Sequence, residues 1–160
     1  MNNAPLRYAA WAITMAEVPR EVSLAISITN CAYLCHGCHS PDLRKDTGEP
    51  LLRDLDMLIE RYKGLISCVC LLGEGQNPEE LLTALRWIRW HGLKSCLYTG
   101  CDHIAPFETM LSWLDYIKLG PYDKSLGGLD QPKTNQRFYC VRDGMLFDET
   151  RLFQRKKDDV

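Results

Sequence analysis

The sequence lacks any apolar run approaching the roughly 18 residues that a membrane-spanning helix needs, so no membrane partner is expected. It also lacks an excess of basic charge. Nineteen Lys and Arg stand against 21 Asp and Glu, for a net charge of -2, which excludes polyanion binding driven by bulk charge, and no nucleic-acid partner is expected. There is no repeat, no low-complexity stretch and no Pro/Gly-rich linker long enough to divide domains. Nor is there a convincing secretory signal. The apolar stretch at residues 9–16 (AAWAITMA) is interrupted by Thr14 and followed by Glu17 and Arg20, without a small-residue cleavage pattern, so it reads as an early strand. What is present is 160 residues, 46% hydrophobic and 25% charged, an ordinary globular composition. A chain of this length buries about 70% of the surface its unfolded form exposes and needs no covalent staples. The expectation is one domain over residues 1–153 with a charged tail at 154–160 (QRKKDDV), in the cytoplasm.

Cysteine is the one residue type in conspicuous supply, with eight in the chain. In a reducing compartment, clustered cysteines hold metal or do redox chemistry more often than they form disulfides. Only Cys31, Cys35 and Cys38 are bunched; Cys68, Cys70, Cys96, Cys101 and Cys140 are dispersed. Cys68 and Cys70 lie at strand spacing in an apolar run and read as small core hydrophobes, as do Cys96 and Cys140. Cys101 differs by following Thr99-Gly100 at a strand end.

Hydrophobic periodicity orders the chain as strand, helix, strand, helix, strand, helix, strand. Residues 21–29 (EVSLAISIT) alternate as a strand, residues 50–63 show helical spacing closed by Gly64, and residues 65–72 (LISCVCLL) form a strand covered on both faces. Asn77, Pro78, Glu79 and Glu80 start a helix that ends near Gly92, with a cap, a first-turn proline and acids facing the dipole. A third strand spans 93–98, a short helix begins near Pro106, and a fourth strand covers 115–119. Residues 138–147 read as a hairpin turning at Asp143-Gly144. This order predicts an α/β fold with a largely parallel sheet. Ligands of such sheets bind beyond the carboxyl ends of the strands, and the cysteine triplet falls in the first strand-end loop.

The triplet reads C-x3-C-x2-C (CAYLCHGC). Three thiolates on one loop suit a single soft metal centre. The spacing matches neither the paired C-x2-C knuckles of structural zinc sites nor the four-cysteine run of bacterial ferredoxins. With three protein ligands a four-iron cluster keeps one iron open for a substrate. The alternative is a zinc site of the three cysteines with His36 or His39, which would make the chain a non-catalytic interaction module.

The spacing resembles the signature of the radical S-adenosylmethionine (SAM) enzymes. Gly37 inside the triplet, Tyr98-Thr99-Gly100 (YTG), residues 118–122 (KLGPY) and residues 134–137 (TNQR) resemble, in order, the activating proteins of anaerobic (class III) ribonucleotide reductase. The resemblance covers residues 6–147 and implies a partial open (β/α) barrel. It implies a [4Fe-4S] cluster and SAM as cofactors, and reductive cleavage of SAM to a 5′-deoxyadenosyl radical. That radical would take hydrogen from a glycine of anaerobic ribonucleoside-triphosphate reductase, the protein substrate, with flavodoxin or ferredoxin as electron donor. The alternatives within the same chemistry are another glycyl-radical enzyme or a small molecule as substrate.

Carried onto this chain, the resemblance makes Cys31, Cys35 and Cys38 the cluster ligands and lays Gly37, Cys38 and His39 along SAM. Gly73, Glu74 and Gly75 map onto a Gly-Gly-acid loop that meets the SAM amino group, although this chain reads Gly-Glu-Gly there. Thr99 and Lys118 are expected at strand ends facing the same cavity, and residues 135–137 are assigned to SAM or to partner docking.

Overall fold

The computed structural model describes residues 4–154. Of the charged tail expected at residues 154–160, only Gln154 lies within the described residues, where its side-chain amide donates to the carbonyls of Leu129 and Gln131.

Eight strands form one sheet in the order β3-β1-β2-β4-β5-β6-β7-β8. They are β1 (Arg7–Thr14), β2 (Ser23–Ile28), β3 (Glu49–Pro50), β4 (Cys68–Leu72), β5 (Lys94–Tyr98), β6 (Tyr116–Leu119), β7 (Arg137–Arg142) and β8 (Met145–Asp148). Two α-helices, α1 (Leu51–Arg61) and α2 (Pro78–Trp90), connect the parallel strands. The α/β architecture agrees with the expectation, but the expected largely parallel sheet is a correction: the sheet is mixed. Only β2–β4, β4–β5 and β5–β6 pair in parallel, whereas the other four pairings are antiparallel. For two of those four the reason lies in the connection: parallel neighbours require a long crossover, while β1–β2 and β7–β8 are joined by short segments that reverse the chain.

The local sequence explains the helices. At the start of α2 the Asn77 carboxamide oxygen accepts from the Glu80 N–H at 3.1 Å, with Pro78 in the first turn. Glu80 in turn accepts from the Leu6 N–H at 2.8 Å, so the acid that complements the helix dipole also anchors the entry to β1. The third helix, expected from Pro106, is a 3-10 helix over Ala105–Trp113. Phe107, Met110 and Trp113 recur every three residues, the period at which a 3-10 helix stacks one face, and all three pack on the core. At the hairpin, Asp143 and Gly144 both have positive φ, at 52° and 72°, as a two-residue turn matched to strand twist demands.

Strand alternation sends β4 side chains to two different environments. Val69 and Leu71 face the main core with Leu24, Ile26, Leu97 and Ile117, under α1 and α2. Cys68 and Cys70 face the other way, into a second cluster with Cys96, Val18, Leu129 and Phe138. Cys68, Cys70 and Cys96 are fully buried, as expected of small core hydrophobes, while Cys140 is half-buried. Cys70 stands directly opposite Cys96 in the β4–β5 ladder. Phe138 anchors this second face, its ring 5.7 Å from Tyr116 and 5.0 Å from Phe153. No helix of the described residues is long and apolar enough to cross a membrane.

Candidate functional site

The four parallel strands end together, and their carboxyl-end loops meet. The loop after β2 carries the cysteine triplet. Asn30, at φ 62°, turns the chain out of the sheet. Main-chain bonds then tie the loop's two legs: Asn30 N–H to the Lys45 carbonyl and Cys31 N–H to the Leu43 carbonyl, both at 3.0 Å. Cys35 and Cys38 are the ends of a tight turn closed by Cys38 N–H donating to the Cys35 carbonyl at 3.2 Å. Gly37, the third residue of that turn, has φ 70°, the conformation such a turn asks of glycine. A Cβ there would lie 2.6 Å from the Lys124 Cβ, so Gly37 also admits the segment after β6 against the loop. That segment is held by Lys124 N–H donating to the His36 carbonyl at 3.1 Å.

All three thiols of the triplet are free and half-buried. Burial pushes the Cys31 thiol above its ordinary range, and Cys35, Cys38 and Glu74 nearby push it the same way. The three sulfurs do not all approach within 4.8 Å of one another, a spacing met among the described residues only by Cys101, Asp102 and His103.

The other expected residues are brought to the same end of the sheet. Glu74, in the loop after β4, accepts from the Thr99 hydroxyl at 2.8 Å. Tyr33, inside the cysteine loop, stands near Glu74, and its phenol is raised by burial and by that carboxylate. Lys118 at the end of β6 is buried and donates to the carbonyls of Thr99 at 3.2 Å and Gly120 at 3.1 Å. Burial lowers its pKa to about 8, against the opposing pull of thiols including Cys35 and Cys31. His39 sits beside Tyr122, ring centroids 4.6 Å apart, at the wall of a cavity of about 900 Å³. A smaller cavity of about 320 Å³ has Cys35 and Tyr33 on its wall together with Cys101 and His103. The cysteine loop therefore stands between two hollows.

Some expected residues serve the chain itself. A Cβ on Gly75 would come within 2.5 Å of the Leu6 side chain, so that glycine is needed for packing, and the Gly73 N–H is taken by the Tyr98 carbonyl at 3.0 Å. In the segment 134–137, the Thr134 hydroxyl donates to the Gly127 carbonyl at 3.0 Å and the Asn135 amide to the Pro121 carbonyl at 2.9 Å. Arg137 pairs with Asp148 at 3.9 Å. Thr134 and Asn135 brace the long loop after β6, the wall of the larger cavity.

Two participants escape a reading of the sequence. Tyr33 is one; its position between two of the cysteines was the available signal. Glu17 is the other. It lines the larger cavity and its carboxyl is raised by burial, while its main-chain carbonyl accepts from the Tyr98 hydroxyl. Nothing in its local sequence marks it.

No family model, no curated protein and no solved structure matches this chain.

Proposed function

We propose that the chain is a radical SAM activase on a partial open (β/α) barrel, which installs a glycyl radical on anaerobic ribonucleoside-triphosphate reductase. The observation that carries this reading is the set of three free, half-buried thiols on one loop at the carboxyl ends of four parallel strands. Three thiols on one loop suit a four-iron cluster, whose fourth iron then stays open for a substrate. When bound, the cluster would supply an electron and an open iron position, the chemistry that reductive cleavage of SAM needs.

The chain's own residues hold and enclose. Cys31, Cys35 and Cys38 are the ligands. Lys118 places an ammonium group in the field of Cys31 and Cys35, a counterweight to thiolate charge in a buried setting. Glu74, oriented by the Thr99 hydroxyl, offers a carboxylate for the SAM amino group. His39 and Tyr122 supply an aromatic wall to the larger cavity. That cavity is open, so the docked reductase would complete the exclusion of water. A small electron carrier, flavodoxin or ferredoxin, would reduce the centre.

The test is anaerobic reconstitution with iron and sulfide, reduction by dithionite, addition of SAM, and chromatography for 5′-deoxyadenosine, with Cys35→Ala as control. Cysteine-dependent deoxyadenosine, followed by a glycyl radical signal on added reductase, is the expected result. Stoichiometric zinc and no cleavage would overturn the proposal in favour of a zinc-binding interaction module.

A further inference from the structure

Cys101, Asp102 and His103 follow β5 on a tight bend, outside the triplet. The Cys101 Sγ lies 3.4 Å from the His103 Nδ1, and the Asp102 Oδ1 lies 2.8 Å from the same nitrogen. The Cys101 contact to Nε2 is longer, at 4.0 Å. This is not the arrangement of a thiol–imidazole–carboxylate relay, in which thiol and carboxylate address opposite ring nitrogens. The thiol also donates to the His103 carbonyl at 3.3 Å, and sulfur, nitrogen and oxygen all lie within 4.8 Å of one another, close enough to share one ion.

From this convergence we infer a second metal site, in which Cys101, Asp102 and His103 bind one thiophilic divalent cation of the zinc class. The inference is independent of the activase reading. Zinc bonds of about 2.3 Å to sulfur and 2.0–2.2 Å to nitrogen and oxygen, at tetrahedral angles, set S···N near 3.6 Å and N···O near 3.3 Å. The S···N contact of 3.4 Å and the N···O contact of 2.8 Å each lie within about 0.5 Å of those values. A mixed sulfur, nitrogen and oxygen set selects zinc-like ions and excludes calcium and magnesium, which want oxygen alone. Thiolate and carboxylate together also balance the charge of a divalent ion.

The scaffold behind the ligands is firm. Cys101 is buried; its N–H donates to the Thr99 hydroxyl at 3.0 Å, and its carbonyl accepts from the Gly120 N–H at 2.7 Å. Three protein ligands leave a fourth position, and the cavity of about 320 Å³ that Cys101, Asp102 and His103 line gives it room. Cys35 stands on the wall of that same cavity.

The test is a cobalt(II) titration of the full chain carrying Cys31→Ala, Cys35→Ala and Cys38→Ala, followed by the thiolate-to-cobalt charge-transfer band. One equivalent of cobalt with that band is expected. Adding Cys101→Ser should abolish the band, and adding His103→Ala should weaken binding at least about tenfold. His103 is exposed, so its replacement removes no core packing. In the otherwise unaltered chain, Cys101→Ser should lower the cobalt stoichiometry by one. Absence of the band in the triplet-free protein, its survival of Cys101→Ser, or its indifference to His103→Ala would each overturn the inference.

Discussion

Thr99 donates its hydroxyl to the Glu74 carboxylate at 2.8 Å and accepts, on the same oxygen, from the Cys101 N–H at 3.0 Å. One side chain, 2% exposed, thereby couples the loops after β4 and β5. Thr99→Val keeps the shape and deletes the hydroxyl, leaving a buried N–H without a partner. The expected cost is about 1–3 kcal/mol. It is read as a lower urea midpoint at unchanged slope.

Gly37 adopts a left-handed conformation with the Lys124 side chain packed where a Cβ would go. Gly37→Ala should cost about 1–2 kcal/mol from the backbone alone. Because the strain falls between Cys35 and Cys38, iron content after reconstitution should drop more than global stability does. Iron assay beside a thermal melt separates the two.

Glu21 is buried, and desolvation raises its carboxyl. Hydrogen bonds from Lys94 at 2.8 Å, Ser67 at 2.5 Å and Tyr116 at 3.0 Å outweigh that, holding it below the usual carboxylate range. A depressed folded-state value means that the stabilisation is complete above the unfolded value near 4.5 and is lost as pH falls through the folded one. Denaturation midpoints measured from about pH 6 down to about pH 3 should fall more steeply for the native chain than for Glu21→Gln.

Phe138 is fully buried between Tyr116 and Phe153 on the second face of the sheet. Phe138→Ala should cost about 3–5 kcal/mol. Calorimetry would show a much lower melting temperature, and retention of the native value would mean that this face does not contribute to the core.

The sequence displays some of this structure openly because the responsible interactions are short-range. Asn77, Pro78, Glu79 and Glu80 state the start of α2 within four residues, and Asp143-Gly144 states its turn within two. Cys68 and Cys70 are legible as core because alternation fixes their face once the strand is recognised. Pairing direction is different: nothing within β1 says that it lies antiparallel to β2, and β3 is only two residues long. At the site, the triplet is visible as spacing. The Tyr33–Glu74–Thr99 contact joins three separate loops, and only the assembled sheet edge brings them together.

The loop that presents the three thiols is secured by its main chain. The bonds from Asn30 to Lys45, Cys31 to Leu43, Cys38 to Cys35 and Lys124 to His36 are all amide to carbonyl. Such tethers ask nothing of the side chains at 32, 34 and 36, all of which are exposed. The path of the loop and the chemistry displayed on it are therefore separable. Those three positions can be substituted widely while the thiols stay where they are.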